Sequence, residues 1–225
     1  ASLAAPVGLD RQAVYPVENT GSSMAPYFTT LAIWVGCVIL SAMLKVVVPE
    51  RVLAELGHPK PRHVYVGRFL FFLILSLLQS SLICLGDLFY LQIQCNDPLL
   101  FMLTGWIDSF VFLNIVYALT VSFGDVGKAI GVVLMVMQVA GSGGIFPVEV
   151  MPGFFQAVYE FLPFVHSMTM FKYAIAGGLP GEYWVAMAKL LAFVVPALLL
   201  GLLLRKPVVR LNAWFMRQLE STKVM

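Results

Sequence analysis

Apolar residues in this chain gather in long unbroken runs instead of alternating with polar ones. Five runs reach the length of about 20 residues that a helix rising 1.5 Å per residue needs to cross roughly 30 Å of hydrocarbon. They are Tyr27–Val48, Phe69–Tyr90, Leu99–Val121, Val126–Phe146 and Trp184–Leu204. Backbone N–H and C=O groups in lipid must be satisfied within their own segment, so the runs predict helices, and a barrel would need alternating strands. The fourth run is the weakest, because its apolar centre AIGVVLMVMQVA leads into Gly141–Gly144.

Two connections carry more than a turn. Pro147–Tyr183 is long and too apolar for a solvated loop: Phe154–Leu162 places bulky groups at helical spacing, Pro163 breaks it, and Phe164–Ala176 continues to Gly177 and Gly178. Neither half is long enough to cross, which predicts a re-entrant or interfacial helical hairpin at the outer face. Its marker residues are Glu149, Phe154, Phe155, Glu160, His166 and Lys172. On the other side, Pro49–His63 (PERVLAELGHPKPRH) opens with a first-turn proline and stops at Gly57. Its polar groups are Glu50, Arg51, Glu55, His58, Lys60 and Arg62. The pattern predicts a short helix at the inner membrane surface, read either as a docking element for a cytoplasmic partner or as a plain basic loop. After the last run, Val208, Leu211, Trp214, Phe215 and Leu219 recur at helical spacing, predicting an amphipathic tail in the headgroup plane.

Composition narrows the class. Of 225 residues, 60% are hydrophobic and 12% charged, against roughly 45–50% and 25% in soluble domains. That excludes a soluble globular enzyme and a disordered chain, and a net charge of +2 without basic clusters excludes a nucleic-acid binder. Of the 14 Lys and Arg residues, 11 fall in the connections after runs one and three and in the tail. Asp87, Asp97, Glu149, Glu160 and Glu182 lie at the other ends. The positive-inside bias then predicts five transmembrane helices, N-terminus out and C-terminus in the cytoplasm. Residues 1–26 read as an extracytoplasmic stub, 27–204 as the membrane domain with its hairpin at 147–183, and 205–225 as the cytoplasmic tail. An outward N-terminus also predicts an earlier crossing upstream, six in all.

The search for chemistry is mostly negative. Cys37 and Cys84 sit in apolar runs and Cys95 in a short polar gap, with neither a CxxC pair nor a metal-ligand spacing. GDVGKAI (Gly124–Ile130) has Gly-Lys but lacks the rest of a phosphate-binding loop, and His58, His63 and His166 form no HExxH. No catalytic, metal or cofactor site is expected. Polar groups inside the runs are the remaining candidates, since each is costly in hydrocarbon unless sheltered. Asp108 is the deepest; Asn114, Gln79 and Gln138 accompany it as candidate lining of a substrate path. For Asp108 two readings stand: a carboxyl hydrogen-bonded within the bundle, or a group facing substrate or a proton path. Lys45 and Lys189 lie near run ends and can snorkel.

Pro16–Val35 and Gly141–Met168, the latter containing the run GGIFPVEVMPGFF (Gly143–Phe155), resemble the membrane region of the YhgE/Pip (phage infection protein) family, related to permeases of type-2 ABC exporters. The resemblance implies a multi-pass protein of the bacterial plasma membrane. It implies an exporter component for lipophilic or amphipathic material, working as a homodimer or pseudo-dimer, with ATP hydrolysed by a separate cytoplasmic subunit that meets Pro49–His63. It also implies one N-terminal crossing and a large extracytoplasmic region ahead of these helices. Two alternatives remain: a non-transporting anchor or assembly protein presenting an extracytoplasmic domain, and a proton-coupled antiporter using Asp108. GKAIG (Gly127–Gly131) carries a small-xxx-small pattern that permits close helix contact.

Overall fold

A computed structural model of the chain describes residues 17, 19–46, 48, 52, 55, 57 and 60–204. The predicted extracytoplasmic stub up to residue 16, the predicted amphipathic tail 205–225, and Glu50, Arg51 and His58 of the predicted inner-surface helix lie outside the described residues. All regular structure among the described residues is helical. Helix α1 is Thr20–Met43, and α2 is Pro61–Leu85, prolonged by a π-helical turn Gly86–Tyr90. Helix α3 is Pro98–Phe123 and α4 is Asp125–Gly141. After a 3₁₀ turn at Val148–Val150 come α5 (Gly153–Val158, extended by a 3₁₀ turn to Phe161) and α6 (Pro163–Ala176). Helix α7 (Glu182–Ala192) runs into α8 (Val194–Leu198) and a π turn to Leu204.

Four stretches are long and apolar enough to cross a membrane: Thr20–Met43, Arg62–Tyr90, Pro98–Phe123 and Glu182–Leu202. The first starts earlier than its apolar run because Asn19 caps it, its Oδ1 accepting from Ser22 N at 2.8 Å. The fourth predicted run, Val126–Phe146, is shorter as a helix. Helix α4 has 17 residues and stops at Gly141, where the chain bends through Gly143 at φ +73°. Gly144 then lies under the Tyr27 ring, so close that an added Cβ would sit 2.1 Å from its Cδ2.

Helix α3 occupies the centre and touches α1, α2, α4, α6, α7 and α8. More than half of the apolar stretch in α1 and in α3 is buried, against about a fifth in α2 and in α7–α8. The outer helices present Leu70, Phe71, Ile74, Leu78, Leu82, Trp184 and Val185 outward. Contiguous exposure of that kind would be an aggregation hazard in water but is ordinary solvation in lipid. Inside, Trp34, Phe112 and Phe164 form an aromatic cluster with ring centroids 5.1–5.7 Å apart.

Helices gain nothing from hydrophobic expulsion against each other in lipid, so contact rests on close backbone approach and hydrogen bonds. The α3–α4 hairpin shows this. Gly124, at φ +63° and ψ −131°, turns the chain as only glycine does easily. Gly127 then lies against the backbone of Leu119, whose carbonyl oxygen would be 2.1 Å from an added Cβ. One turn later the Gly131 carbonyl accepts from Trp34 Nε1 at 3.2 Å. Both glycines of GKAIG therefore face α3 and α1 of their own chain.

Candidate functional site

Helix α6 begins deep in the bundle and returns to one end of it. Its first residues pack Phe164 between Trp34 and Phe112, near the middle of α1 and α3. Its last turn is paired with the strand of chain before α3: Asn96 N donates to Ile175 O at 3.1 Å and Asp97 N to Ala174 O at 3.0 Å. With 14 residues it covers about 21 Å. Pro163 occupies the first helical position, where its missing N–H costs nothing. The next orphan donor, Phe164 N, is taken up by Gln138 Oε1 of α4 at 3.3 Å. Of this arm, Pro163 to Met168, Met170, Phe171, Ala174 and Ile175 are buried.

The other hairpin residues divide between anchoring and exposure. Phe155 packs on Gly141, while Phe154 and Glu149 are exposed; Gln156 Nε2 donates to the carbonyls of Glu149 (3.3 Å) and Met151 (2.8 Å). The His166 ring lies beside Phe193, with Nε2 3.0 Å from the Glu160 carbonyl. Lys172 is half-buried and lines a cavity of ≈ 150 Å³ with Ser22, Ser23 and Pro26. Lys189, instead of standing alone at a helix end, donates to Glu160 Oε2 at 2.7 Å, both groups being well exposed. That direct bond, and then the lysine charge, hold the Glu160 carboxyl below its usual range. The pair therefore stabilises the fold above the ordinary glutamate pKa of about 4.3 and loses that effect as pH falls below it. Lys189→Ala should lower stability at pH 7 by less than about 1 kcal/mol, with the difference from wild type shrinking at pH 3; unfolding midpoints at the two pH values check it.

Asp108 lies on α3 and is fully buried. Ser167 of α6 donates to its Oδ2, and the Ser167 hydroxyl is 2.7 Å from that of Thr30 on α1, which also bonds the Pro26 carbonyl at 2.7 Å. Its other oxygen, Oδ1, has no hydrogen-bond partner among the described residues. One buried polar joint thus ties α1, α3 and the returning hairpin arm together. Beside it Ser109 Oγ lies 2.6 Å from Ser76 Oγ, with Cys37 Sγ at 3.4 Å from the latter, linking α1, α2 and α3.

The four residues expected to line a path do not converge. Asp108 and Gln138 both hold α6, through Ser167 and Phe164 N respectively. Asn114 Nδ2 turns back to the Phe110 carbonyl of its own helix at 2.8 Å. Gln79 fills the α1–α2 contact opposite Gly36, where an added Cβ would lie 2.0 Å from Nε2. Reading by residue missed Thr30 and Ser167, which look unremarkable within apolar stretches until three helices bring them to Asp108. Asp87, near the end of its apolar run, sits in the π turn and accepts from Thr29 Oγ1 at 2.6 Å. On the connection between α1 and α2 Glu55 and Lys60 are exposed, as is Arg62 in the first turn of α2; Val52 and Glu55 are helical, and Gly57 turns at φ +73°.

Besides the cavity at Lys172, one of ≈ 560 Å³ lies between α1 and the π turn, and one of ≈ 260 Å³ is walled by Trp34, Gln138, Leu162, Pro163 and Phe193. Asp108 lines none of the three.

A central helix wrapped by apolar helices, with a buried half-length arm hydrogen-bonded into it, defines a polytopic helical membrane protein. The chain belongs to the ABC-2 family of transporter proteins, whose family pattern it matches over residues 2–203. It is 28% identical over 183 residues to the uncharacterised protein YhgE of Bacillus subtilis (strain 168), a match covering 81% of this chain. The chain spans about a quarter of that relative, whose matched share is 23% of its length. No solved structure matches it.

Proposed function

We propose that the chain is the membrane permease part of an ABC-type exporter that moves lipophilic or amphipathic material outward. ATP would be hydrolysed by a separate cytoplasmic subunit, and the chain itself performs no catalysis. The bundle crosses the bacterial plasma membrane five times, with α4 the shortest crossing, N-terminus out and C-terminus in, and two such units face each other. The observation that supports this most is the match of the whole helical region to a transporter family. It is joined by a hairpin arm too short to cross yet buried beside Asp108.

The test is a pull-down in mild detergent with ATPase activity measured on what is retained. A nucleotide-hydrolysing subunit should co-purify, and Glu55→Arg in the exposed inner connection should reduce its recovery at least fivefold. Retention of no ATPase, together with unchanged phage sensitivity or secretion after Asp108 and loop substitutions, would leave the anchor reading. That second reading draws support from the relative, of which the matched region is under a quarter.

A further inference from the structure

The largest of the three cavities, ≈ 560 Å³, opens between the first turns of α1 and the π turn that ends α2. Its walls are mainly apolar, with Met24, Ala25, Phe28 and Ala32 from α1 facing Ile83 and Leu91. Among the described residues a single charged group lines it, Asp87. The π turn places that group: Leu91 N donates to Gly86 O at 2.9 Å, and Ile93 N to the Asp87 carbonyl at 3.2 Å. The carboxylate thus leaves the outward face of α2 and reaches Thr29. Gln92, which also lines the cavity, closes this turn at φ 50°, a region that non-glycine residues rarely adopt. Wide turns and backbone of this kind recur at ligand sites.

Thr29 supplies one hydrogen bond to the carboxylate, and among the described residues no Lys or Arg lines the cavity. A carboxylate with one neutral donor, lining a cavity whose surface is mostly apolar, is matched by a cation that brings its own apolar surface. We propose that this cavity binds the ammonium head of an amphipathic amine, with Asp87 as counter-charge and the α1–α2 walls taking the first part of its chain. Two sources share that chemistry, an aminophospholipid head group and a free long-chain amine. The inference goes beyond the permease reading and stands whether or not the bound amine is carried.

The test uses the full chain in maltoside micelles with labelled octylammonium as probe and octanol as its uncharged counterpart. Wild type should bind octylammonium at least tenfold more tightly than octanol. Asp87→Asn should remove at least a tenfold share of that affinity while leaving octanol binding unchanged. Ala32→Phe, which keeps the charge and fills the slot, should weaken both ligands, and Thr29→Val, which keeps charge and space, should change octylammonium binding less than threefold. Monodisperse elution and an unchanged unfolding midpoint establish that each variant is folded. Displacement of octylammonium by phosphatidylethanolamine assigns the head group as occupant, and retention assigns a free amine; either supports the site. Equal binding of octylammonium and octanol by wild type, or wild-type affinity in Asp87→Asn, overturns the proposal.

Discussion

Gly127→Val should prevent the protein from reaching a stable folded state in the membrane, with a loss of about 3 kcal/mol or more. The added Cβ would lie 2.1 Å from the Leu119 carbonyl oxygen, 2.5 Å from its carbon and 2.9 Å from Thr120 N. All three are backbone atoms of α3, so no rotamer change relieves the clash. Helix α4 would have to move away, and the Trp34–Gly131 bond at the next turn would go with it. That bond fixes the ring against which Phe112 and Phe164 pack edge-to-face, so the damage reaches the start of α6. Gly67→Ala is the control: nothing lies within 4 Å of its added Cβ, and the site is helical and exposed. It should be neutral or stabilising by up to about 1 kcal/mol. Thermal unfolding in micelles, followed by size exclusion, reads both; a Gly127→Val protein as stable as wild type would refute the backbone-to-backbone packing.

The helices α1, α2, α3 and α7–α8 are legible from run length because lipid enforces it: each apolar run must close its own hydrogen bonds. Their ends are less so. Asn19 starts the helix about two turns before the apolar run, and Gly143 and Gly144 remove about one turn from α4 because the Tyr27 ring needs that space. The break at Pro163 and the stop at Gly177, φ +76°, fall where proline and glycine place them. What the sequence cannot display is which polar residues meet. Asp108 stands out alone because a carboxylate in an apolar run is costly, but Ser167 and Thr30 are separated from it by 59 and 78 positions respectively. Small hydroxyls are tolerated anywhere in such helices, bonding back to their own backbone as Thr104, Thr120 and Thr169 do. Asp87 is hidden for a different reason: a π turn has no local signature in GDLFY, and only that turn aims the carboxylate at α1.

Ser167→Ala should destabilise the bundle by about 1–3 kcal/mol, more than its lost methylene-sized volume explains. Ser167 is the described donor to Asp108, and Oδ1 already has no partner. Removing the hydroxyl leaves a fully buried carboxyl with no hydrogen bond on either oxygen. Asp108→Asn keeps an oxygen that accepts from Ser167 and should cost less than about 1 kcal/mol. In Asp108→Ala with Ser167→Ala, the group that needs a partner is gone, so the double variant should be no less stable than Asp108→Ala alone. The cycle then gives a coupling of about 0.5–3 kcal/mol between α3 and the hairpin arm. Unfolding midpoints of the four proteins in one micelle condition measure it, and a neutral Ser167→Ala would remove the joint as a source of stability. Export separates the two roles open to Asp108. If the carboxyl only clamps α6, Asp108→Asn transports at wild-type rate; if it faces substrate, the same variant, folded and normally expressed, transports nothing. Since Asp108 is fully buried and holds the arm through Ser167, the clamp is the outcome this geometry predicts.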